Sequence, residues 1–356
     1  MGNYYYNDKT KQHLTEQILY TIRYAVKYIK ISSFLMQDKE IIDELCVASE
    51  TGRVAVFVIS NRNQKEGDEY NASGENSSKT RDGINNHQRF LQDLYYSGAH
   101  VRLLDNLHAK FLIADGKNGL LMSANIAPNS MSKNVESGIT LGSEEVHDLE
   151  NVFDTMFNYA DIVQFVSGKD YDAVKYSNKK LPKSAFTNIK SNIRLTVRSK
   201  SNTNLSECDE MSLYRTIIEI IDEARSFIYI VSWEFKDRFG KLNAFYNAVD
   251  RALKRGVKVI LFYNSKGPET NIKVQKEFIF KMGSMGCDAY FDQCNHSKCI
   301  LSEEKGFLFT ANIDGNSGLL EGFEVGCIMD EHQRKQAKEH VEQLITKAKQ
   351  DKYERR

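Results

Sequence analysis

Two segments of the sequence carry the same four polar residues in the same order. In each segment a His-x-Lys pair lies on a predicted strand, where residues two apart share a face, followed by an asparagine at the end of the next strand and then a glutamate. The first set is His108, Lys110, Asn125 and Glu136, and the second is His296, Lys298, Asn312 and Glu324. Burying polar groups costs free energy unless they have partners, so this recurrence predicts a functional site.

The residue types suit phosphodiester transfer, which here needs neither a metal ion nor a cofactor. One imidazole can attack phosphorus and form a phosphohistidine, while a second protonates the leaving oxygen and later activates water. The lysines would neutralise the non-bridging oxygens, and the asparagines, Ser123 and Thr310 would donate hydrogen bonds to them. Each glutamate would accept a hydrogen bond from the far nitrogen of a histidine and thereby fix its tautomer.

The segments that must position these residues also repeat. Apolar, β-branched runs at 53–60 (RVAVFVIS) and 257–263 (VKVILFY) each follow a glycine, and helical segments flank them. The strand YIKISSF of the first half has its counterpart in FIYIVSW of the second half. Alternating β and α segments that occur twice predict an α/β fold of two tandem α-β-α repeats, with mixed sheets flanked by helices.

The repeats divide the chain into three predicted regions. Residues 1–172 form the first repeat, with a polar insert at 62–82, and residues 207–356 form the second. The connector at 173–206 contains lysines and arginines but no Asp or Glu. Such a stretch can hold a phosphate backbone or can be a solvated linker. The candidate nucleic-acid-binding residues are Lys179, Lys180, Lys183, Lys190, Arg194 and Arg198.

The motifs HAKFLIAD with MSAN, and HSKCILSE with FTAN, resemble the signature of the phospholipase D superfamily. Two residues depart from that signature, since Glu303 stands where the family usually has Asp and Thr310 where Ser is common. The resemblance covers residues 17 to 347, nearly the whole chain. It implies a pseudo-dimer with one active site at the interface of the two repeats. It also implies that His108 is the nucleophile and His296 the acid and base, with the reverse assignment open, and that Asp115 and Glu303 support the structure.

Several substrates are compatible with this resemblance. We expect a nuclease that cuts DNA or RNA, because the connector suits a polyanionic strand, and family association suggests a phage-defence setting with partner subunits from a multi-gene system. A phospholipase D-like lipid hydrolase or phosphatidyltransferase is the alternative, favoured if the lips of the cleft are apolar. A nucleic-acid-binding protein without turnover is the third possibility.

The composition limits the remaining classes of protein. The 356 residues suffice for two domains, and 48 basic residues balance 48 acidic ones, which excludes a globally basic coat protein. No apolar run reaches membrane-span length and the first residues are polar, so we expect a cytoplasmic protein without stable membrane insertion. The six cysteines form no Cys-x-x-Cys pair and are interpreted as reduced thiols. Phe34 and Trp233, at the ends of corresponding strands, could stack on a base or simply pack at the cleft lip.

Overall fold

The computed structural model describes residues 2–61, 86–165, 173–175, 179–199, 205 and 207–350, and the polar insert predicted at 62–82 lies outside these ranges. The chain forms two nine-stranded mixed sheets and a small two-stranded sheet. Helices flank both large sheets. The fold predicted from the sequence, two tandem α/β units side by side, is therefore confirmed.

The first lobe contains five helices and nine strands within the described ranges. Its helices are α1 (His13–Arg23), α2 (Lys39–Glu50), α3 (Asn86–Tyr96), α4 (Pro128–Ser132) and α5 (Ser143–Tyr159). Its strands are β1 (Tyr4–Asn7), β2 (Tyr28–Ser33), β3 (Ala55–Asn61), β4 (His100–Leu104), β5 (Phe111–Ala114), β6 (Asn118–Met122), β7 (Glu136–Leu141), β8 (Asp161–Gln164) and β9 (Ala173–Lys175).

The second lobe repeats most of this order. Its helices are α6 (Ser212–Glu223), α7 (Asn243–Lys254), α8 (Glu269–Met285) and α9 (Glu331–Lys347). Its strands are β10 (Ile193–Arg198), β11 (Asp209–Glu210), β12 (Phe227–Val231), β13 (Phe235–Lys236), β14 (Lys258–Asn264), β15 (Asp288–Asp292), β16 (Cys299–Ser302), β17 (Gly306–Phe309), β18 (Ile313–Asp314), β19 (Gly322–Ile328) and β20 (Lys349–Gln350).

The two large sheets share one order over eight strands, from β1 to β8 in the first and from β10 to β20 in the second, and only β9 and β11 lack a counterpart. The first runs β1-β7-β6-β5-β2-β3-β4-β8-β9, and the second runs β11-β10-β19-β17-β16-β12-β14-β15-β20. In both sheets the central strands pair in parallel, as β2 does with β3 and β12 with β14, while the strands that carry the polar motifs pair antiparallel. The duplication seen in the sequence is thus a duplication of topology.

The apolar core consists of three clusters. One lies within the first lobe and one within the second, each between a sheet and the buried faces of its helices. Helix α6 shows why, since Leu213, Ile217 and Ile220 recur at helical spacing and are buried. The third cluster draws on both lobes and includes Phe153 of α5, Val341 of α9, Leu107 and Phe323. Burial of this shared cluster makes the contact between the lobes part of the fold.

Several strands at or next to the sheet edges were missed from the sequence, and β1 and β10 are the equivalent pair among them. Strand β1 pairs with β7 in the same way that β10 pairs with β19, so the N-terminal residues and the basic connector supply equivalent strands. Both segments are short, and their strand conformation depends on the sheet that they join. The residues 193–198 of the connector are therefore part of the second sheet.

The position of the His-x-Lys pairs also differs from the prediction. The strands β5 and β16 begin at Phe111 and Cys299, so each histidine and lysine precedes its strand. The prediction that they lie within a strand is wrong. The residue before each histidine, Leu107 or Asn295, pairs instead with the backbone of the opposite lobe, and the strand begins only after the lysine.

Candidate active site

Each of the two histidine segments forms a backbone hydrogen bond with the opposite lobe. The amide of His108 donates to the carbonyl oxygen of Phe323 over 3.0 Å, and the amide of His296 donates to that of Val135 over 2.9 Å. Phe323 and Val135 each precede one of the predicted glutamates. The backbone therefore brings each histidine beside the glutamate of the opposite lobe.

Each histidine pairs with a carboxylate of the opposite lobe. Nδ1 of His108 lies 2.8 Å from Oε1 of Glu324, and Nδ1 of His296 lies 2.7 Å from Oε1 of Glu136. Both glutamates are buried, at 0% and 1% exposure for Glu136 and Glu324, so these carboxylates act in a low-dielectric environment. A carboxylate at Nδ1 keeps the proton on that nitrogen and leaves Nε2 as the reactive atom.

A hydroxyl group holds the second oxygen of each glutamate. Ser123 Oγ donates to Oε2 of Glu136 over 2.5 Å, and Thr310 Oγ1 donates to Oε2 of Glu324 over 2.5 Å. Burial acts to raise the pKa of Glu136, but the nearby charges of His296 and Lys298 and the Ser123 hydroxyl lower it below its ordinary value. Glu136 therefore stays ionised beside its histidine.

The two lysines of the motifs are fully buried beneath the histidines. Lys110 Nζ donates to the carbonyl oxygen of His108 over 2.7 Å, and Lys298 Nζ donates to that of His296 over 2.8 Å. Lys298 Nζ also lies 3.3 Å from Nε2 of His296, the nitrogen that faces the reaction. Two buried ammonium groups place positive charge where the oxygens of a phosphate would lie.

A polar cleft of about 550 Å³ opens onto this arrangement between the lobes. Among its lining residues are His108, Glu324 and Asn312, which follows β17. The equivalent Asn125 follows β6 and is 3% exposed. The side-chain oxygen of Asn312 is buried without a hydrogen-bond partner among the residues described, so the cleft offers it to a ligand.

An aromatic ring lies against each histidine. The ring of Phe34 meets His108 edge-on at 5.5 Å between centroids, and the ring of Trp233 lies 5.3 Å from His296. Both rings line the cleft. They fix the histidine orientations and form the sides of the space in which a substrate would lie.

Comparison with known proteins identifies the family. A family model described as the PLD-like domain of cardiolipin synthase matches residues 18–157 and 217–349. The chain belongs to the phospholipase D superfamily. Members of this superfamily carry out phosphodiester chemistry, and the chain is an enzyme of that class. No curated protein matches the sequence.

Solved structures share the fold of this superfamily member. A phosphatidylserine synthase from Haemophilus influenzae matches with a TM-score of 0.65 and 14% identity, over 99% of this chain and 88% of that one. A polyphosphate kinase from Porphyromonas gingivalis matches with a TM-score of 0.59 and 13% identity over 96% of this chain, which spans only 47% of the kinase. A phospholipase D family member, Nuc from Salmonella typhimurium, matches over 49% of this chain and 100% of that one, with a TM-score of 0.37 and 16% identity. At these identities the likenesses to the synthase and the kinase show the fold alone.

The two acidic residues that end the superfamily motifs serve the backbone. Asp115 accepts hydrogen bonds from the amides of Val26, Lys27 and Tyr28 over 2.9, 2.7 and 3.0 Å. Glu303 accepts from the corresponding turn of the second lobe, at the amides of Arg225, Ser226 and Phe227. The longer side chain of Glu303 thus reaches the same kind of partner as Asp115, so the departure from the superfamily signature preserves the turn.

The six basic candidates of the connector do not form one surface at the cleft. Arg198 pairs in the sheet with Gly322, which lines the cleft, and its guanidinium lies 3.1 Å from Asp209. Arg194 pairs with Gly326, four residues or roughly 13 Å further along the strand. The remaining four are exposed, Lys190 beside Asp148 of α5 and Lys180 3.9 Å from Glu207, with Lys179 and Lys183 in the same stretch.

Five charged residues of the cleft were missed from the sequence, namely Asp105, Glu234, Lys236, Asp314 and Glu321. Lys236 and Asp314 lie on the small sheet of β13 and β18, and Glu234 lies between Trp233 and β13. The signal was available in the repeat, because the segments Ser33–Asp38 and Ser232–Asp237 align and differ at the residue after the aromatic ring. In the described residues no helix is both long and apolar enough to cross a membrane.

Proposed function

We propose that this protein is a nuclease that cleaves phosphodiesters of DNA or RNA without a metal ion, through a phosphohistidine intermediate at one site shared by the lobes. The observation that carries the proposal is the exchange of partners between the lobes, in which His108 pairs with Glu324 and His296 with Glu136. Neither lobe alone has a histidine with its carboxylate. Both histidines therefore belong to one composite site.

The first step transfers the phosphoryl group to the enzyme. With its proton held at Nδ1 by Glu324, His108 attacks phosphorus through the lone pair of Nε2, and the bond from phosphorus to the leaving oxygen breaks. The leaving oxygen takes the proton from Nε2 of His296, whose positive form is favoured by the ionised Glu136. The product is a phosphohistidine and a free alcohol.

The second step returns the enzyme to its starting state. Neutral His296 takes a proton from water at Nε2 while the water oxygen attacks phosphorus. The phosphorus–nitrogen bond breaks, and its electron pair returns to Nε2 of His108. Lys110 and Lys298 stabilise the non-bridging oxygens in both transition states, and removing such a group typically costs about 10²- to 10³-fold in rate.

The lining of the cleft supports a polar substrate over a lipid. Phe34, Leu107 and Trp233 are its only large apolar residues among those described, and the others are mainly Asn, Asp, Glu and Ser. Two acyl chains would gain little from such lips because hydrophobic stabilisation scales with the apolar area buried. A nucleotide offers hydrogen-bonding groups that match this lining and a face for Phe34 and Trp233.

Cleavage assays in excess EDTA test this proposal. The wild type is compared with His108→Ala, His296→Ala and the control His147→Ala, which replaces an exposed histidine of α5. Labelled single-stranded DNA, duplex DNA, RNA and phosphatidylcholine vesicles serve as substrates. We expect the wild type and the control to cut a nucleic acid, and both active-site variants to lose at least about 10³-fold. Turnover of lipid alone would replace the nuclease by a lipid hydrolase, and binding without turnover would support a silent binding protein.

A further inference from the structure

Four buried side chains form a polar network where the lobes meet, namely Tyr4, Ser137, Ser297 and His340. The Ser137 hydroxyl lies 2.6 Å from that of Ser297 and 2.6 Å from that of Tyr4. The Tyr4 hydroxyl also lies 2.9 Å from Nδ1 of His340. None of the four residues is more than 7% exposed. Polar groups at this depth are costly unless they are paired, and each of these has a partner within the network.

The polar network connects the two segments that carry His296 and Glu136. Ser297 follows His296 in the sequence, and Ser137 follows Glu136. The hydrogen bond between the two serines therefore lies one residue beyond the histidine–glutamate pair and joins the same two lobes. One residue before that pair, the amide of His296 donates to the carbonyl oxygen of Val135 over 2.9 Å. Three successive residues of the first lobe thus hold this histidine segment.

The far end of the polar network comes from opposite ends of the sequence. Tyr4 lies on β1 and His340 on α9, where the ring of Tyr6 stacks on the imidazole at 3.9 Å between centroids. Burial lowers the pKa of His340 to about 4, so this imidazole is neutral at pH 7 and its Nδ1 can accept a hydrogen bond from Tyr4. When Nδ1 accepts, each of the three hydroxyl groups donates once along the network.

The equivalent positions beside the other histidine are apolar. The repeat relates His108 to His296, β1 to β10 and α5 to α9, and so gives a counterpart for every residue of the polar network. The counterparts of Tyr4, Ser137, Ser297 and His340 are, in this order, Ile193, Val325, Ala109 and Val152. All four counterparts are at most 1% exposed and belong to the apolar cluster shared by the lobes. The two histidine–glutamate pairs are therefore alike, but their supports differ.

The proposed chemistry gives a reason for this difference. Apolar groups of similar shape can replace a buried hydrogen bond at little cost in stability, whereas a satisfied polar network fixes its members in one arrangement. His296 gives up a proton in the first step and takes one in the second, and no covalent bond ties it to the substrate in either. His108 is bonded to phosphorus between the two steps. A fixed position therefore matters more for His296.

We propose that the residues of the polar network are positioning residues that hold His296 for both of its proton transfers. This inference rests on the proposed function, in which His296 is the acid and base. Ser297 lies between His296 and Lys298, so its bond to Ser137 fixes the backbone that carries both side chains. Lys298 Nζ in turn donates to the carbonyl oxygen of His296. A displacement of about 1 Å in such a group can cost about 10²-fold in rate.

Two kinds of leaving group separate this role from a merely structural one. A dinucleoside monophosphate releases an alcohol, which needs the proton of His296, whereas the p-nitrophenyl esters of its two nucleotides release p-nitrophenolate, which leaves without one. Tyr4→Phe and Ser297→Ala each remove one hydroxyl group of the polar network, and the second copies Ala109. We expect each variant to form the phosphohistidine at least about tenfold more slowly from the dinucleotide, but less than about twofold more slowly from the esters. Rapid-quench measurements follow this step.

Tyr5→Phe is the matched control, because it removes a hydroxyl group of β1 that lies outside the polar network and accepts a hydrogen bond from Asn3. It should leave the rates with every substrate unchanged. The double variant of Tyr4→Phe and Ser297→Ala should be about as slow as the slower single variant, since both changes break one network. Unchanged rates, equal slowing with both kinds of leaving group, or losses that multiply in the double variant would overturn the proposal. Should Tyr4→Phe fail to fold, Ser297→Ala alone decides between these outcomes.

The chromogenic diester bis(p-nitrophenyl) phosphate separates this proposal from the proposed function. It contains no nucleoside and reports the chemistry at phosphorus alone. With this substrate Ser297→Ala should change the initial burst of p-nitrophenolate less than about twofold and slow the steady state at least about tenfold, because hydrolysis of the intermediate needs His296 as the base. That result in a protein that cuts no nucleic acid would overturn the nuclease and support the polar network. Cleavage of nucleic acid with both phases unchanged in Ser297→Ala would keep the nuclease and overturn the polar network.

Discussion

The two lobes are alike at the paired histidines and glutamates and different in the residues that line the cleft around them. Their histidines, glutamates and hydroxyl groups superpose in type and in bonding, with His–Glu distances of 2.8 and 2.7 Å. Their cleft walls do not, since Leu35 and Ala127 stand where the second lobe has Glu234 and Asp314. Phosphoryl transfer needs a group on each side of phosphorus, and this requirement preserves the pair. Recognition of the groups attached to the phosphate has no such requirement, so the residues that line the cleft can differ.

The same contrast occurs deeper in the fold. His87 of α3 accepts a hydrogen bond from the amide of Met36 over 2.9 Å, and its other nitrogen lies 3.3 Å from the carbonyl oxygen of Asn61. In the second lobe Gln275 of α8 makes both equivalent bonds, to Phe235 and Asn264. The lobes use two side chains for one structural role, and only the histidine titrates.

The largest expected effects come from breaking one cross-lobe pair at a time. We expect Glu324→Gln to slow formation of the phosphohistidine by about 10³- to 10⁴-fold, because His108 loses the carboxylate that fixes its tautomer. Glu136→Gln should instead slow the proton transfers of His296 by about 10²- to 10⁴-fold and move the alkaline limb of the pH–rate profile for phosphohistidine formation to lower pH, because His296 without Glu136 loses its proton more easily. Rapid-quench measurements of the bound phosphoryl group separate these steps.

Glu277→Gln, which removes an exposed carboxylate from α8, is the control for the loss of one charge. Its burst and steady-state rates should match those of the wild type. If Glu324→Gln slowed both the formation and the hydrolysis of the intermediate while Glu136→Gln slowed its formation alone, His296 would be the nucleophile and the roles of the two lobes would be exchanged.

The next effect is on stability and concerns the His87–Gln275 contrast. Burial lowers the pKa of His87 to about 4 from an ordinary value of 6.5. The unfolded chain therefore binds this proton first as the pH falls below 6.5, and the folded state loses stability until about pH 4. His87→Gln should remove this loss, which amounts to about 2 kcal/mol at pH 5.

Urea unfolding at pH 7 and pH 5 measures the difference between the wild type and His87→Gln. His340, whose pKa burial also lowers to about 4, is present in both proteins and cancels in the comparison. Gln275→His provides the reverse exchange and should make the second lobe acid-sensitive. Equal losses of stability on acidification for all three proteins would contradict the role of His87.

The smallest effect distinguishes the two motif-ending acids. Both oxygens of Asp115 accept backbone amides, so Asp115→Asn turns an NH₂ group toward an N–H and should cost about 2 kcal/mol. Glu303→Gln should cost about 1 kcal/mol or less, because the Ser226 hydroxyl, 3.1 Å from Oε2, can turn to accept from the new amide. Thermal unfolding measures both, and equal costs would show that the two turns are equivalent.

The sequence alone predicted the fold and the residue types of the two histidine–glutamate sets because both depend on residues that are close together in the chain. Apolar runs after glycines predicted β3 and β14, and the repeated motifs predicted that two histidines belong together. The exchange of glutamates was not predictable, since nothing near His108 in the chain indicates that its partner is Glu324. That pairing depends on how the lobes pack, which in turn depends on the shared apolar cluster.

Strands β1 and β10 show a second limit of prediction from sequence. The residues YYYN of β1 do not alternate, and they become a strand because β7 presents an open edge to them. The residues IRLTVR of β10 do alternate between apolar and polar, so the signal of a strand was available there and was missed because the connector was interpreted by its charge alone. Lys236 of β13 and Asp314 of β18 show a different limit. The repeat alignment pointed to these charged residues, but their placement in the cleft follows from the parallel pairing of the two strands, which the sequence did not predict.

The crossed pairs also govern when the protein becomes active during its synthesis. His108 leaves the ribosome well before Glu324, which is 216 positions later in the chain. At about 5 to 20 residues per second, roughly 10 to 40 s separate the synthesis of the two residues. A nascent chain thus has His108 without the carboxylate that pairs with it. A cell that makes this enzyme is exposed to its chemistry only after the second lobe has emerged and folded against the first.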